Sequence, residues 1–244
     1  MLRSAKGLTG LEVKAVDGNI GAVDDLFFDD EDWVVRYLVI ETGKWLPGRK
    51  VIVSPTSAGE PDTEKNEIPV SLDRKKIEDS PTIDEEQPVS RRQEIKLAEY
   101  FGWPYYWWGP VGMAAGATRG FTSAENAPDA TEDEDGDPNL RSLNEVSGYS
   151  INAKDGEFGH IEDLIVETDG WEIVYAVVDT RNWLPGKKVL ITPGAISNVD
   201  WAANMISVDM PAESIEKSPE FDPSQPVNRK LEVRLYDYMG RPVE

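Results

Sequence analysis

The stretch that decides the fold occurs twice, as Trp45-Leu46-Pro47-Gly48-Arg49-Lys50-Val51 and as Trp183-Leu184-Pro185-Gly186-Lys187-Lys188-Val189. The two copies are 138 residues apart, and the same shift aligns residues 10–104 with residues 148–242 without a gap. About 36 of the 95 paired positions are identical. Self-similarity of this length indicates a tandem duplication of one domain of about 100 residues.

Each copy has the pattern of β structure. Residues 11–16 alternate apolar and polar side chains, and residues 33–40 are rich in aromatic and β-branched types, as in strands. The dipeptides Asp17-Gly18 and Asp155-Gly156 follow the alternating run and predict a hairpin with a type I′ turn. Closely spaced strands of this kind predict a small antiparallel barrel.

Proline and glycine predict two further local structures. Pro47-Gly48, and Pro185-Gly186 in the second copy, have the residues that a type II turn requires at its two central positions. Gly21 recurs as Gly159 inside a strand pattern, which predicts a bulge or a close backbone approach. These glycines are therefore expected to be structural.

Helix signals come mainly at the end of each copy. Ser90 is a candidate N-cap with Gln93 at the third helical position, and Gly102 is a stop signal. Asn228 is the candidate cap in the second copy. Because Leu97 and Leu235 lie on the apolar sides of these helices, we expect both to pack against the β structure.

These patterns predict a mainly β protein of two small antiparallel barrels, each followed by a short α-helix. The expected domains are residues 1–104 and 141–244. Residues 105–140 have no counterpart and form a linker that is first aromatic and then acidic. Its Trp107 and Trp108 belong to a cluster of aromatic residues that we expect to pack within the molecule, with Trp103 and at least one of Trp107 and Trp108 mostly buried. A contact with a partner protein and a role at a membrane interface are the alternatives.

The repeated pattern resembles the PRC-barrel family, which is named after the cytoplasmic domain of the photosynthetic reaction-centre H subunit. The matching residues of the first copy are Ala15, Asp17-Gly18, Gly21, Val23 to Leu26, Thr42, Trp45 to Val51, Val53 and Pro55, and the second copy matches at the same shift. The resemblance implies PRC-type barrels whose surfaces bind other proteins. It implies no catalytic residue. The H subunit also has a transmembrane anchor, whereas this sequence begins almost directly with the barrel pattern, so we expect no anchor.

Composition excludes several classes of function. The chain has 25 Lys and Arg against 46 Asp and Glu, a net charge of −21, which argues against nucleic-acid binding and against anionic membranes. It has no cysteine and one histidine, His160, which aligns with Ala22. We therefore predict no enzyme activity, no catalytic residue, no metal site and no cofactor.

The two proline-glycine turns and the aromatic start of the linker carry the candidate interaction residues. An aromatic side chain flanked by basic ones is typical of a binding hot spot. The candidates are Trp45, Leu46, Arg49, Trp183, Leu184, Lys187, Trp107 and Trp108. The alternative is structural, with Trp45 folding back to cover the open end of the barrel.

The leading functional hypothesis is a non-catalytic, cytoplasmic interaction or scaffold protein with an unknown protein partner. The alternative is an accessory protein that supports a small molecule, a metal ion or a redox cofactor in photosynthetic electron transfer. A convergent pocket lined by Trp33, Tyr37 and their repeat mates would favour the alternative, and a flat apolar patch would favour the scaffold. We expect the two barrels to form an intramolecular pseudo-dimer about a two-fold axis. The sequence also allows a homo-oligomer of whole chains.

Overall fold

The structure is a computed structural model that describes residues 1–81, 89–108, 139–180, 187–223, 225, 227 and 229–239. Trp183, Leu184, Pro185 and Gly186 of the second proline-glycine turn lie outside these ranges. The predicted cap Asn228 and linker residues 109–138 lie outside them as well. Within the described ranges, no helix is long and apolar enough to cross a membrane.

The first half alternates short strands with short helices. Its elements are β1 (Leu2–Ser4), α1 (Ala5–Leu8), β2 (Glu12–Ala15), β3 (Gly18–Asp29), β4 (Val34–Glu41), β5 (Lys50–Val53), β6 (Glu67–Pro69), α2 (Arg74–Glu78) and α3 (Arg91–Phe101), with 3₁₀ turns at Pro55–Ser57 and Tyr106–Trp108. The predicted capping box begins α3, where Ser90 Oγ accepts from the Gln93 N–H at 3.3 Å. Gly102, at φ 82°, ends the helix in the left-handed region as expected.

The second half repeats this order. Its elements are β7 (Leu140–Ser142), α4 (Leu143–Val146), β8 (Ser150–Ala153), β9 (Gly156–Glu167), β10 (Glu172–Asp179), β11 (Lys188–Ile191), β12 (Ile196–Asp200), β13 (Met205–Val208), α5 (Ala212–Lys217) and α6 (Arg229–Met239), with a 3₁₀ turn at Pro193–Ala195. Strand β12 is the main addition, because the first half has only isolated bridges at Ala58 and Asp62 in the equivalent place.

The strand pairing corrects the expected sheet arrangement. The described strands form one 13-stranded mixed sheet, in which β10 meets β4 at Glu172 and Val34, rather than two separate antiparallel sheets. Pairing is parallel between β2 and β6 and between β8 and β13. The reason is the long connection after β5 and β11, which brings the chain back beside the first hairpin strand in the same direction. The pairing does not establish a closed barrel in either half.

The two halves exchange their first strands reciprocally. Strand β1 pairs with β9, with Leu2 opposite Glu167, and β7 pairs with β3, with Leu140 opposite Asp29. Both pairs are related by the repeat shift of 138 residues. Such reciprocity is the signature of an isologous contact, in which each half offers the other the same surface.

Side chains repeat the same exchange. Ser4 Oγ donates to a carboxylate oxygen of Asp163, and Ser142 Oγ donates to one of Asp25. The second oxygen of Asp163 accepts the Lys6 N–H at 3.0 Å, and that of Asp25 accepts the Asn144 N–H at 3.1 Å. Each half therefore holds the first helix of the other half by its N-terminus.

Apolar packing is shared between the halves. One buried cluster contains residues of both, such as Leu26, Ile40, Leu164 and Val178. A smaller cluster packs α6 on the second half through Leu231 and Leu235. The burial of Leu97 and Leu235 was predicted from the sequence and is confirmed.

The glycine predictions have mixed outcomes. Gly48 has φ 72°, and the Arg49 N–H donates to the Leu46 carbonyl at 3.0 Å, which confirms the type II turn.

The type I′ turn predicted at Asp17-Gly18 is wrong. Val16 and Asp17 form the turn, neither has positive φ, and Gly18 already begins β3. Positive φ is costly for a β-branched residue such as Val16, so the chain turns differently.

Candidate functional site

A cleft of about 420 Å³ lies between the two halves. The first half contributes β4, the 3₁₀ turn after β5, and the segment that follows α3; the second half contributes the turn between β9 and β10. Its lining residues are Val34, Val35, Arg36, Tyr37, Ser54, Pro55, Thr56, Ala58, Gly59, Glu60, Ala98, Trp103, Pro104, Tyr106, Thr168, Asp169, Gly170 and Trp171. The cleft depends on the strand exchange, because each half supplies one wall.

Two tyrosines of the lining converge on a buried carboxylate. Glu94 lies in the first turn of α3 and is fully buried. Its Oε1 accepts from the hydroxyl of Tyr37 at 2.9 Å and from that of Tyr106 at 2.7 Å. Arg91 Nη1 lies 3.0 Å from Glu94 Oε2, so the charge is paired.

This arrangement keeps Tyr37 in its neutral form. Burial raises the pKa of Tyr37 well above its ordinary value, and the neighbouring Glu94 carboxylate raises it further. Tyr37 therefore acts as a fixed hydrogen-bond donor behind the cleft. The hydrogen bond to Glu94 holds the Tyr37 ring in place.

Trp103 forms part of one wall of the cleft. Its indole stacks on Phe101 with the ring centroids 4.3 Å apart, and its Nε1–H donates to Ser57 Oγ at 2.7 Å. The side chain is buried, as predicted. Because both its face and its N–H are held and only 5% of the residue is exposed, the indole is a fixed and largely covered part of the lining.

Arg36 is the basic residue among the described lining residues, and its charge is paired with nearby carboxylates. Its Nη2 lies 2.7 Å from Asp32 Oδ2 and 3.7 Å from Asp29 Oδ2, and its guanidinium carbon lies 4.0 Å from the centroid of the Tyr106 ring. The Arg36 side chain is only 14% exposed. The Arg36 guanidinium therefore packs against the Tyr106 ring, and its positive charge is balanced by Asp32 and Asp29.

The opposite wall comes from the turn between β9 and β10. Thr168 Oγ1 donates to Glu60 Oε1 at 2.8 Å and so links the two halves across the cleft. Trp171 is buried with φ 58°, a conformation that bulky residues rarely adopt. Its carbonyl accepts the Val35 N–H at 2.8 Å, and the equivalent Trp33 carbonyl accepts the Ile173 N–H at 2.7 Å. The strained tryptophans thus sit at the reciprocal contact.

The first proline-glycine turn lies against the protein. Trp45 and Leu46 are half-buried; Trp45 packs against the core, and the Arg74 guanidinium lies 4.8 Å from its ring centroid. Arg49 donates to the carbonyl oxygens of Glu78 at 2.6 Å and Ser80 at 2.7 Å. These contacts agree with the structural alternative for Trp45, and the interaction role proposed for the turn stays a prediction.

The second turn repeats part of this arrangement. Lys187 Nζ donates to the Glu216 carbonyl, which is the counterpart of the Arg49 contact with Glu78. Trp183 and Leu184 lie outside the described residues.

The predicted turn residues Asp17 and Asp155 have a role that the sequence did not indicate. Each accepts the N–H of the first residue of a helix, Arg74 at 2.8 Å and Ala212 at 2.7 Å.

The packing of the aromatic segment after α3 can be described for Trp107. Trp107 is half-buried, with its ring 4.9 Å from that of Tyr106 and the Arg91 guanidinium 4.1 Å above it. The side chain of Trp108 lies outside the described part. The prediction that Trp107 or Trp108 is mostly buried is therefore not met by Trp107 and is untested for Trp108.

The sequence analysis indicated neither the lining residues Arg36, Glu60 and Thr168 nor Glu94, which is buried behind the lining. One signal could have found Glu94, because it is identical in the second copy, as Glu232, together with Arg91, Leu97 and Tyr100 of the same helix. Glu60 and Thr168 have no such signal, since they meet only through the contact between the halves. Of the predicted pocket residues, Tyr37 and Trp171 line the cleft. Trp33 stacks on Phe28 instead, and Tyr175 packs against the smaller cluster of the second half.

The described cleft is lined by aromatic, hydroxyl, guanidinium and carboxylate groups. None of the residues found lining it is histidine, cysteine or lysine. Throughout the described ranges, no three His, Cys, Asp or Glu side chains are grouped so that they could hold a metal ion. The aromatic faces and the carboxylates at the rim are suited to non-covalent recognition.

Comparison with protein families identifies part of the chain. Residues 3–77 match the family model of the PRC-barrel domain, so the protein contains one PRC-barrel domain in its first half. No curated protein matches the chain. The second half has β structure in the same element order, without a family match of its own.

Proposed function

We propose that this PRC-barrel domain protein is a non-catalytic, cytoplasmic scaffold that binds a partner protein in the cleft between its halves. In this proposal the second half, residues 141–244, is a second PRC-type barrel, and the two barrels form an intramolecular pseudo-dimer. The repeat of 138 residues and the reciprocal pairing of β1 with β9 and of β7 with β3 support it.

The single observation that carries the proposal is the composite origin of the cleft. A surface made by two halves is rigid and is presented once per chain, as a recognition site requires. The Thr168–Glu60 hydrogen bond and the buried Glu94 cluster hold its walls in place. The hydroxyl groups of Thr168, Tyr37 and Tyr106 are engaged in hydrogen bonds that hold the walls together, which favours a binding role for the cleft.

A small-molecule ligand is the second candidate. The size of the cleft, about 420 Å³, falls within the range typical of such sites, and Tyr37 and Trp171 are among the residues that this alternative requires. Native mass spectrometry of the protein purified from its source would detect a retained ligand as a fixed mass increment. That increment should disappear in Trp103→Ala, whose indole forms one wall.

Site-specific photo-crosslinking tests the scaffold proposal. A photoreactive phenylalanine analogue at Thr56, an exposed lining residue, should capture one defined protein in the source cells. The same analogue at Glu213, an exposed residue of α5 outside the lining, is the control and should not capture that protein. Equal capture at both positions, or none at Thr56, would contradict the proposal.

A further inference from the structure

We propose that a groove beside α6 in the second half binds a phenylalanine side chain of a partner protein, with a basic residue next to it in the partner sequence. The groove has a volume of about 400 Å³. It is lined by the 3₁₀ turn after β11, by Asp209, Met210 and Ser214, and by Tyr238 of α6. This surface is separate from the cleft, so the inference goes beyond the proposed function.

In the first half, rings of the chain itself occupy the same place. Three lining residues of the groove, Ala195, Met210 and Tyr238, are related by the repeat shift to Ser57, Leu72 and Tyr100. The Trp103 indole donates to Ser57 Oγ at 2.7 Å and stacks on Phe101, and the Phe101 ring meets that of Tyr100 at 4.9 Å. Ser57 and Leu72 are buried there, with 8% and 7% of their surface exposed.

The groove of the second half keeps this frame without the two rings. The Tyr238 hydroxyl donates to the Ser214 carbonyl, just as the Tyr100 hydroxyl donates to the Lys76 carbonyl in the first half. At the positions equivalent to Phe101 and Trp103, the sequence has methionine and arginine. Because Ala195 and Met210 are only half-buried, this surface keeps room for a ring from another molecule.

Ala195 decides which ring fits. In the first half, Ser57 accepts the indole N–H of Trp103, whereas Ala195 has no side-chain acceptor. A tryptophan in the groove would therefore leave its N–H without that partner. Phenylalanine has no polar atom to satisfy, and its ring packs well against a thioether such as Met210 and an aromatic face such as that of Tyr238, which is 37% exposed.

Asp209 gives the groove its preference for charge. Its equivalent in the first half is the neutral Ser71, and no lysine or arginine is among the described residues that line the groove. Asp209 pairs with Lys154 at 2.7 Å, but both side chains are more than half exposed, and such a pair is weak enough to exchange partners. The chain charge of −21 also attracts a basic partner segment.

Titration of the full chain with capped tripeptides tests the inference. The probe is lysine-phenylalanine-lysine; lysine-alanine-lysine is the control for the ring, and glutamate-phenylalanine-glutamate is the control for the charge. In amide and methyl NMR spectra, the probe should shift the signals of Ala195 and Met210 with a stoichiometry of one. The alanine tripeptide should not shift them, and the glutamate tripeptide should bind about fivefold more weakly or less.

Variants of two lining residues locate the site. Ala195→Ser supplies the acceptor that Ser57 gives to Trp103, so it should raise the affinity for a lysine-tryptophan-lysine tripeptide about fivefold and leave that for the phenylalanine probe unchanged. Asp209→Asn should weaken binding of the phenylalanine probe about two- to fivefold. Glu64→Gln removes the same charge at an exposed position outside the lining and should leave binding unchanged.

Three outcomes would overturn the inference. The first is equal binding of the phenylalanine and alanine tripeptides, or no binding of either. The second is binding that Ala195→Ser and Asp209→Asn both leave unchanged, since the probe would then sit elsewhere. The third is binding that occurs only after removal of residues 240–244, because the groove would then be covered within the molecule. Photo-crosslinking at Thr56 reports on the cleft alone, so the scaffold proposal is tested separately.

Discussion

At the scale of single residues, Gly21 and Gly159 are constrained by neighbouring backbone. A Cβ on Gly21 would lie 2.1 Å from the Glu41 carbonyl oxygen, and one on Gly159 would lie 2.3 Å from that of Asp179. The close approach that the sequence predicted for this pair is confirmed. The backbone of the adjacent strand cannot move away cheaply, so the lack of a side chain is a steric requirement.

Replacement of Gly21 by alanine should therefore lower the free energy of unfolding by about 3 kcal/mol or more. The matched control is Gly156→Ala. Gly156 has φ 145°, close to the 135° of Gly21, but a Cβ there meets nothing within 4 Å, so only the backbone cost of about 1–3 kcal/mol applies. Urea unfolding followed by circular dichroism measures both. Equal losses would show that φ, and not the close approach, constrains Gly21.

The buried aspartates of the exchange make a second prediction at this scale. Burial raises the pKa of Asp25 above its ordinary 3.8, although the hydrogen bonds from Ser142, Leu26 and Asn144 oppose the rise. A raised pKa means that the ionised form costs stability, and the cost grows as pH rises from about 4 through the folded-state pKa. In Asp25→Asn, the amide can accept the backbone N–H groups and donate to Ser142 without a charge.

The stability of Asp25→Asn relative to wild type should therefore increase as pH is raised from 4 to 7. Asp163→Asn should behave in the same way, because the pKa of Asp163 is raised by burial as well. Asp209→Asn, at an exposed position, controls for the loss of one negative charge. Thermal unfolding across this pH range measures the difference. A relative stability that falls with pH would contradict the assignment.

At the scale of elements, α3 and the segment after it work as one unit. The helix is capped by Ser90 and Gly102, buries Glu94 and Leu97, and then places Trp103 across Phe101. The second half has α6 in the equivalent position, packed by its own small cluster. The aromatic residues that follow α3 therefore make the end of this helix one wall of the cleft.

Replacement of Trp103 by alanine should lower the free energy of unfolding by about 3–5 kcal/mol, the usual cost of removing a buried tryptophan. Trp107→Ala should cost clearly less, because that ring is half-buried. Ser57→Ala leaves the Trp103 indole N–H without its acceptor and should cost about 1–3 kcal/mol. Denaturant unfolding ranks the three variants; a Trp107 loss as large as that of Trp103 would show that the segment packs differently.

At the scale of the whole molecule, the reciprocal exchange makes the two halves one cooperative structure. The pairs β1–β9 and β7–β3 and the shared apolar cluster connect residues far apart in sequence. Covalent linkage through residues 109–138 should therefore not be needed to hold the assembled halves together.

A protease site placed between residues 109 and 138 tests this expectation. After cleavage, the two pieces should elute as one particle of unchanged size in gel filtration and should unfold in a single transition. A Ser4→Ala, Ser142→Ala variant, which lacks both hydroxyl contacts to Asp163 and Asp25, should dissociate at a lower urea concentration after the same cleavage. Separation of the wild-type pieces in buffer would contradict a strong contact between the halves.

The sequence by itself determined the local features of this protein: the repeat, the β content, the type II turn, the caps of α3 and the tight position of Gly21. Each depends on residues that are close in sequence or on the backbone limits of proline and glycine. The tertiary structure decided the mixed sheet, the parallel pairs and the cleft, and it placed Glu60 beside Thr168 and Asp25 beside Ser142. The parallel pairs join residues 55 positions apart and the two side-chain pairs join residues more than 100 positions apart, and short-range periodicity carries no information about which distant surfaces meet.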